Sequence, residues 1–158
     1  MYYEMWEKSI ETLKKHLSLK NAVWKDERAA SMRFIARCYK HLGNLEEARR
    51  WYSLAFLEAP HLRDALVEKA LLEYEEEQYS EVEKLCFRAL EIKGHEKTYI
   101  NEPFSWNNTI YDLLSISAYY LGRYEQAVYF VDIALEYTPN DSRLLNNRKL
   151  FKEKESSF

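Results

Sequence analysis

The chain has 158 residues, of which 47% are hydrophobic and 31% charged, and its formal net charge is −3. This composition is typical of an ordered, helical protein, and only three glycines leave few places for a strand hairpin to turn. Because lysine and arginine nowhere form a dense stretch, we expect no nucleic-acid partner. No apolar run approaches the ~20 residues that cross a bilayer, so we also expect no membrane segment.

The N-terminal region, residues 1–28, is predicted to form one amphipathic helix, from Tyr3 to about Leu19, followed by a linker. Its apolar face carries Trp6, Ile10, Leu13 and Leu17. We interpret this helix as the lone second half of a truncated helical hairpin. Its apolar face is expected to cap the fold, to pack on a segment further upstream, or to pair with a second copy as a homodimer. The region lacks the basic start and apolar core of a signal peptide, which favours a cytoplasmic protein.

Two segments of the chain, 79 residues apart, carry the same residues. The first contains Leu42-Gly43, Glu46, Ala48, Ala55 and Pro60, and the second contains Leu121-Gly122, Glu125, Ala127, Ala134 and Pro139. A third copy follows the first by 34 residues, with Val82, Cys86 and Ala89 at the positions of Ala48, Tyr52 and Ala55. A 34-residue period of two helices per unit is typical of a helical repeat protein.

The period predicts three helical hairpins, at residues 29–62, 63–94 and 108–141. In the first and third hairpins a glycine ends the first helix, because glycine readily takes the left-handed conformation, whereas Glu77 replaces it in the second. Residues 142–158 follow as a capping helix and tail, and Asn140-Asp141-Ser142 is the predicted N-cap.

An insertion interrupts the period at residues 95–107, where the offset between hairpins grows from 34 to 45 residues. The insertion is rich in aromatic residues and contains a proline, so we expect it to pack against the hairpins rather than act as a flexible linker. Glu102 and Trp106 are its candidate contacts for a ligand. Trp106 either stacks on a sugar ring or pins the insertion to the nearest hairpin.

Catalytic and metal-binding motifs are missing from the sequence. It has no glycine-rich phosphate loop, no nucleophile elbow, and four histidines scattered without ligand spacing. Cys38 and Cys86 lie at apolar helix positions and are predicted to be free, buried thiols. The acidic run from Glu73 to Glu77 is predicted to be a solvated helix end. We therefore expect no enzymatic activity, no bound metal and no cofactor.

Over residues 29–141 the chain resembles the tetratricopeptide repeat. The matching residues are Ala36, Tyr39, Gly43, Ala48, Tyr52, Ala55 and Pro60 in the first hairpin, and Tyr111, Leu114, Gly122, Tyr124, Ala127, Ala134 and Pro139 in the third. The family stacks antiparallel helix pairs into a right-handed superhelix. The resemblance implies an all-α solenoid of three units, with an N-terminal half-unit helix, a C-terminal capping helix, and a concave groove lined by the first helix of each unit.

A narrower resemblance covers residues 24–39, 58–63, 99–102 with Trp106, and 111–119. These segments resemble the region that follows the catalytic domain in bacterial and phage family-2 glycosyltransferases. The resemblance implies that the chain is the C-terminal accessory region of such an enzyme and contacts its upstream catalytic domain. The sequence has neither strand–helix alternation nor an Asp-x-Asp pair, so we expect no sugar transfer by this region itself.

The helical phase of each first helix predicts which side chains face the groove. They are Arg33, Arg37, His41, Asp64, Glu68, Tyr74, Asp112, Tyr119 and Tyr120. One hypothesis is a site for an extended peptide or a polar acceptor. The other is that Arg33 and Arg37 pair with Asp64, Glu68 and Asp112 on adjacent helices and have a structural role.

Three functions therefore stay open. The chain is a docking region of a glycosyltransferase, a freestanding adaptor that binds a protein or peptide in its groove, or a scaffold that associates with itself through the N-terminal helix.

Overall fold

The computed structural model describes residues 2–94 and 100–157, and within these ranges the chain is helical and contains no strand. The α-helices are α1 (Tyr2–Ser18), α2 (Lys25–His41), α3 (Leu45–Glu58), α4 (Asp64–Glu75), α5 (Tyr79–Leu90), α6 (Thr109–Tyr120), α7 (Tyr124–Tyr137) and α8 (Ser142–Ser156). A one-turn 3₁₀ helix covers Pro103–Ser105. The prediction of an all-α fold is confirmed. None of the described helices is long and apolar enough to cross a bilayer.

One predicted helix boundary is wrong. We expected the first helix of the first hairpin to begin at Ala29, but α2 begins at Lys25. The Arg28 amide already donates to the Trp24 carbonyl, and the carboxylates of Asp26 and Glu27 stabilise the first turn through the helix dipole. The predicted linker at the end of residues 1–28 is therefore shorter than expected.

The described residues form two compact units. Unit 1 comprises residues 2–69, 92–94 and 100–101, and unit 2 comprises residues 70–91 and 102–157. Helices α1 to α3 belong to unit 1, α5 to α8 belong to unit 2, and α4 contributes its first half to unit 1 and its second half to unit 2. The predicted second hairpin, 63–94, therefore contributes residues to both units.

Three turns between helices share a left-handed residue at the predicted position. The φ angles are 79° at Gly43, 57° at Glu77 and 77° at Gly122. Glu77 is the only non-glycine residue with a positive φ in the described part of the chain. The prediction that Glu77 takes the place of the turn glycine is confirmed.

Each of these turns is closed by the same two backbone hydrogen bonds. The amide of the left-handed residue donates to the carbonyl three residues earlier, and the next amide donates to the carbonyl five residues earlier. The pairs are Gly43–Lys40 with Asn44–Tyr39, Glu77–Tyr74 with Gln78–Glu73, and Gly122–Tyr119 with Arg123–Ala118, all at 2.8 to 3.1 Å. This pattern is the Schellman motif, which satisfies carbonyls that the end of a helix leaves unpaired.

In unit 1, α2 packs against both α1 and α3. The repeated small residues Ala48 and Ala55 of α3 are fully buried, as are Ile35 and Ala36 of α2. At the end of α2, the ring of His41 stacks on the indole of Trp6 from α1, with 4.4 Å between the ring centroids. The small residues let the helix axes approach closely, and Tyr52 fills the space beside them.

In unit 2, α6 packs against α5 and α7, and α7 packs against α8. The core repeats the pattern of unit 1, with Ala127 and Ala134 of α7 fully buried. Leu144 and Phe151 of α8 complete this core. The side chain of Asp141 accepts a hydrogen bond from the Leu144 amide at 3.1 Å, which confirms the predicted N-cap of the last helix.

Candidate functional site

Arg33 and Arg37 lie one turn apart on α2, and both contact the Glu68 carboxylate of α4 within unit 1. Nη1 of Arg33 lies 3.6 Å from Oε1 of Glu68, and Nη2 of Arg37 donates a hydrogen bond to the same oxygen. The second carboxylate oxygen of Glu68 is buried and accepts no hydrogen bond from the described residues. The hypothesis that these arginines pair with carboxylates on an adjacent helix is confirmed for Glu68.

The Arg33 side chain also holds the inserted segment. Its Nη2 donates to the carbonyl oxygen of Ile100 at 2.7 Å, and only 3% of Arg33 is exposed. The carbonyl of Ile92, three residues before the insertion, accepts a hydrogen bond from Nε of Arg63 at 2.8 Å. The expectation that the insertion packs back on the hairpins is therefore confirmed at Ile100. A partner could reach Arg33 only if this contact opened.

Arg37 and Phe34 are the accessible part of this face of α2. The guanidinium carbon of Arg37 lies 4.7 Å from the centroid of the Phe34 ring, and 45% of Phe34 is exposed. Asp64, one turn before Glu68 on α4, is buried. The site thus combines two guanidinium groups with a buried carboxylate partner and an exposed aromatic ring. It is suited to contacts with a polar protein surface and does not form an open anion site.

The other predicted groove residue of unit 1, His41, is exposed and stacks on Trp6 of α1. The contact joins the end of α2 to the N-terminal helix. Two other features of this unit were missed by sequence reasoning: the His61–Asp26 contact at 2.7 Å and the bond from Nε of Arg28 to Glu58 at 2.6 Å. Both join residues at least 30 positions apart, so no local pattern in the sequence reports them.

In unit 2, Asp112 accepts two hydrogen bonds from Arg143 of α8, at 3.1 and 2.5 Å. The bond from Arg143 to Asp112 raises the pKa of that guanidinium above its ordinary value. Sequence reasoning placed Asp112 in the groove and did not identify Arg143. The pair fixes the first turn of α8 to α6.

The predicted tyrosines of unit 2 lie together. The rings of Tyr119 and Tyr120 meet edge to face at 5.3 Å, and Tyr120 stacks on Tyr79 at 4.5 Å. Tyr74 meets Tyr79 edge to face at 6.3 Å. Sequence reasoning missed Tyr79 as a member of this group, because it begins α5, on the other side of the turn from Tyr74.

Of the predicted insertion, residues 95–99 lie outside the described part of the chain. In unit 2, the Glu102 carbonyl accepts a hydrogen bond from the Ser105 amide, and the Trp106 amide donates to the Pro103 carbonyl. The 3₁₀ helix between them contacts α6. Glu102 and Trp106 are both partly buried, and their role as ligand contacts stays a prediction.

The thiols offer no activated nucleophile. Cys38 and Cys86 are free and buried, as predicted. Burial, with a smaller contribution from Glu83, raises the pKa of Cys86 to about 12, and burial raises the pKa of Cys38 above its ordinary value. A thiol with a raised pKa is protonated at neutral pH and reacts slowly.

The acidic run at the end of α4 is only partly solvated. Glu75, Glu76 and Glu77 are exposed, but Glu73 is buried, so the prediction is wrong for that residue. Glu73 follows the buried Ala70 by three positions and therefore lies on the inward face of the helix. Within residues 2–94 and 100–157 no three histidine, cysteine or acidic side chains are grouped as metal ligands would be.

Neither a protein-family model nor a curated protein matches the chain. The likenesses to tetratricopeptide repeats and to glycosyltransferase accessory regions therefore stay resemblances. The function is therefore inferred from the side-chain contacts within each unit.

Proposed function

We propose that the chain is a non-catalytic interaction module built from helical hairpins of the tetratricopeptide type. In this proposal the hairpins stack as a right-handed solenoid, α1 is the second helix of a half unit, and α8 is the cap. The observation that carries the proposal is the recurrence of one turn, with the same two hydrogen bonds and a left-handed residue, at Gly43, Glu77 and Gly122.

Burial of the repeated small residues supports the same proposal. Ala48, Val82 and Ala127 occupy equivalent positions after the three turns, and all are fully buried. The next repeated position is occupied in the three hairpins by Ala55, Ala89 and Ala134, which are also buried. A hairpin whose two helices approach closely through alanines still has further apolar surface to bury, which stacking on a neighbouring hairpin provides.

The biological role that we propose is docking in the cytoplasm. The resemblance to the region after family-2 glycosyltransferase domains favours an accessory region that holds its catalytic domain, a protein partner or an acceptor. A freestanding adaptor is the alternative. The exposed Phe34 ring beside Arg37 supports a protein or peptide contact on α2, because aromatic rings and arginines are enriched where proteins meet.

A capture experiment with the full chain tests this docking face. The chain and its Phe34→Asp variant are immobilised and exposed to lysate from the native source. Leu57→Asp is the matched control, because Leu57 is 72% exposed on the neighbouring helix α3. We expect a discrete set of partners that Phe34→Asp loses and Leu57→Asp keeps. If all three proteins captured the same partners, this face of α2 would be excluded as the docking face.

The size of the native product separates the two docking roles. An antibody against this chain is used to isolate the protein from its native source under denaturing conditions, and tryptic peptides are identified. A product larger than 19.0 kDa, with peptides of a glycosyltransferase domain, is expected for the accessory region. A product whose peptides all come from this sequence favours the adaptor.

Self-association is a second candidate function. The apolar face predicted for it packs on α2 instead, with Ile10 buried. The exposed side chains Tyr2, Tyr3 and Met5 of α1 still favour self-association. Light scattering over a range of protein concentrations tests this function. A mass that rises with concentration, and that Tyr3→Ser with Met5→Ser returns to the monomer value, is the expected result. A constant monomer mass excludes it.

A further inference from the structure

Unit 2 carries an exposed aromatic and acidic surface at the turn between α4 and α5. We call it the tyrosine patch, and define it as Tyr74, Tyr79 and Tyr120 together with the carboxylates of Glu76 and Glu77. Tyr79 is the first residue of α5 and Tyr120 is the last residue of α6. Their rings stack at 4.5 Å with an interplanar angle of 8°. Although stacked, Tyr120 is 59% exposed, so much of its ring still faces solvent.

The patch is also electronegative. Glu76 and Glu77 are exposed, and among the described residues neither forms an ion pair. Glu77 is close enough to Tyr79 that it contributes, after burial and Tyr120, to raising the pKa of that phenol. The left-handed backbone of Glu77 places this residue in the turn, two positions before Tyr79.

The same chain shows what such a combination binds. In unit 1, the Arg37 guanidinium lies over the Phe34 ring and bonds the Glu68 carboxylate. On α3, the Arg50 guanidinium lies 5.3 Å from the Trp51 ring centroid and bonds the Glu47 carboxylate at 3.1 Å. Each of these places joins an aromatic ring, a carboxylate and an arginine.

The tyrosine patch has the ring and the carboxylates but not the cation. In the described part of the chain, no lysine or arginine lies over Tyr79 or Tyr120. The nearby cations of unit 2 have carboxylate partners, because Arg123 bonds Glu83 at 2.7 Å, and Arg143, which also interacts electrostatically with Tyr74, bonds Asp112. Among the described residues, the exposed ring of Tyr120 and the exposed carboxylates are therefore available to a cation from a partner.

We propose that the tyrosine patch binds an arginine side chain presented by a protein partner. The planar guanidinium stacks on the exposed face of Tyr120, and its N–H groups donate to the carboxylates of Glu76 and Glu77. Arginine fits better than lysine, since its flat, weakly hydrated group can stack on the ring and bond a carboxylate in the same pose. This inference goes beyond the docking face proposed on α2 and does not depend on it.

Fluorescence anisotropy with two labelled hexapeptides tests the proposal. One alternates glycine with arginine and the other alternates glycine with lysine, so both carry the same charge. We expect the arginine peptide to bind the full chain about threefold more tightly, because the lysine ammonium cannot stack a flat group on the ring while it bonds a carboxylate. Tyr120→Leu, which keeps an apolar side chain, is expected to abolish this difference.

Two variants make the result specific to the patch. Tyr137→Leu is the matched control, because Tyr137 is 51% exposed and stacks on Tyr111 at the opposite end of α6. It is expected to keep the preference for arginine. Glu77→Gln, which removes charge without removing a ring, is expected to weaken arginine binding about threefold.

Three outcomes would overturn the proposal. The first is equal affinity for the two peptides. The second is an equal loss of the preference for arginine in Tyr120→Leu and Tyr137→Leu. The third is a change in the NMR signals of the Tyr120 ring on addition of maltohexaose but not of the arginine peptide. The last result would assign the patch to a sugar.

Discussion

Units 1 and 2 contain the same Schellman turn, but they differ in their polar contacts. In unit 1 the side chains of Arg33 and Glu68 are almost completely buried. In unit 2 the pair between Arg143 and Asp112 is partly exposed, and tyrosines occupy the surface near the turn. The backbone motif and the buried alanines are common to both. The hairpin is therefore specified by a few small residues and backbone hydrogen bonds, and it leaves the neighbouring side chains free to acquire separate roles.

The largest expected difference between the units is the energetic cost of removing a carboxylate. Glu68→Ala removes the carboxylate that lies 3.6 Å from the buried guanidinium of Arg33, so we expect the free energy of unfolding to fall by about 3 kcal/mol. Asp112→Ala breaks the partly exposed pair with Arg143, and we expect a loss of less than about 1 kcal/mol. Urea denaturation followed by circular dichroism measures both values. Equal losses would show that burial does not make the carboxylate of unit 1 more costly to remove than that of unit 2.

The second expected effect concerns the turns that the units share. Gly43→Ala and Gly122→Ala place a β-carbon on a left-handed residue, and we expect each to lower the free energy of unfolding by about 1 to 2 kcal/mol. There is open space around both positions, so the cost is conformational and not steric contact with neighbours. Gly94→Ala is the control, because Gly94 has no positive φ and no atom near its added β-carbon. A loss in Gly94→Ala as large as in the other two would contradict this explanation.

Glu77 should respond in the opposite direction. Glu77 occupies the left-handed region without being glycine, so Glu77→Gly relieves backbone strain. Glycine also has more conformational entropy in the unfolded chain, which opposes this effect. We expect the free energy of unfolding to rise by about 1 kcal/mol in total. Thermal unfolding of the variant and wild type measures this gain. A lower melting temperature would mean that the side chain of Glu77 stabilises the turn by more than its backbone strain costs.

The smallest expected effect is a pH dependence in the core of unit 2. The pKa of Cys86 is raised to about 12 from an ordinary value of 9.0, so above pH 9 the unfolded chain releases the thiol proton while the folded chain keeps it. The free energy of unfolding therefore falls as pH rises, by less than about 1 kcal/mol up to about pH 9.5. Cys86→Ala lacks the thiol, so its free energy of unfolding should fall less steeply between pH 8 and 9.5. Parallel slopes in urea titrations would contradict the raised pKa.

Local features of the fold could be predicted from local sequence. Apolar spacing identified the helices, the glycine positions identified two left-handed turns, and their period identified Glu77 as the third. Asp141 was recognisable as an N-cap because its partner amide is three residues away. The start of α2 at Lys25 was missed, because the first turn is stabilised by Asp26 and Glu27 rather than by an apolar stripe.

The candidate sites divide in the same way. The sequence by itself determined that the chain is helical, that small residues recur at helix contacts, and that Arg33 and Arg37 share a helix face. Their pairing with a carboxylate was one of two hypotheses until the structure placed Glu68 beside them. Only the tertiary structure decided that Arg33 is buried against Ile100, that Asp112 bonds Arg143, and that Tyr79 stacks on Tyr120. These contacts join residues 31 to 67 positions apart, and such pairings depend on how helices pack. Helix periodicity fixes the face on which a side chain lies, but not the residue that it meets.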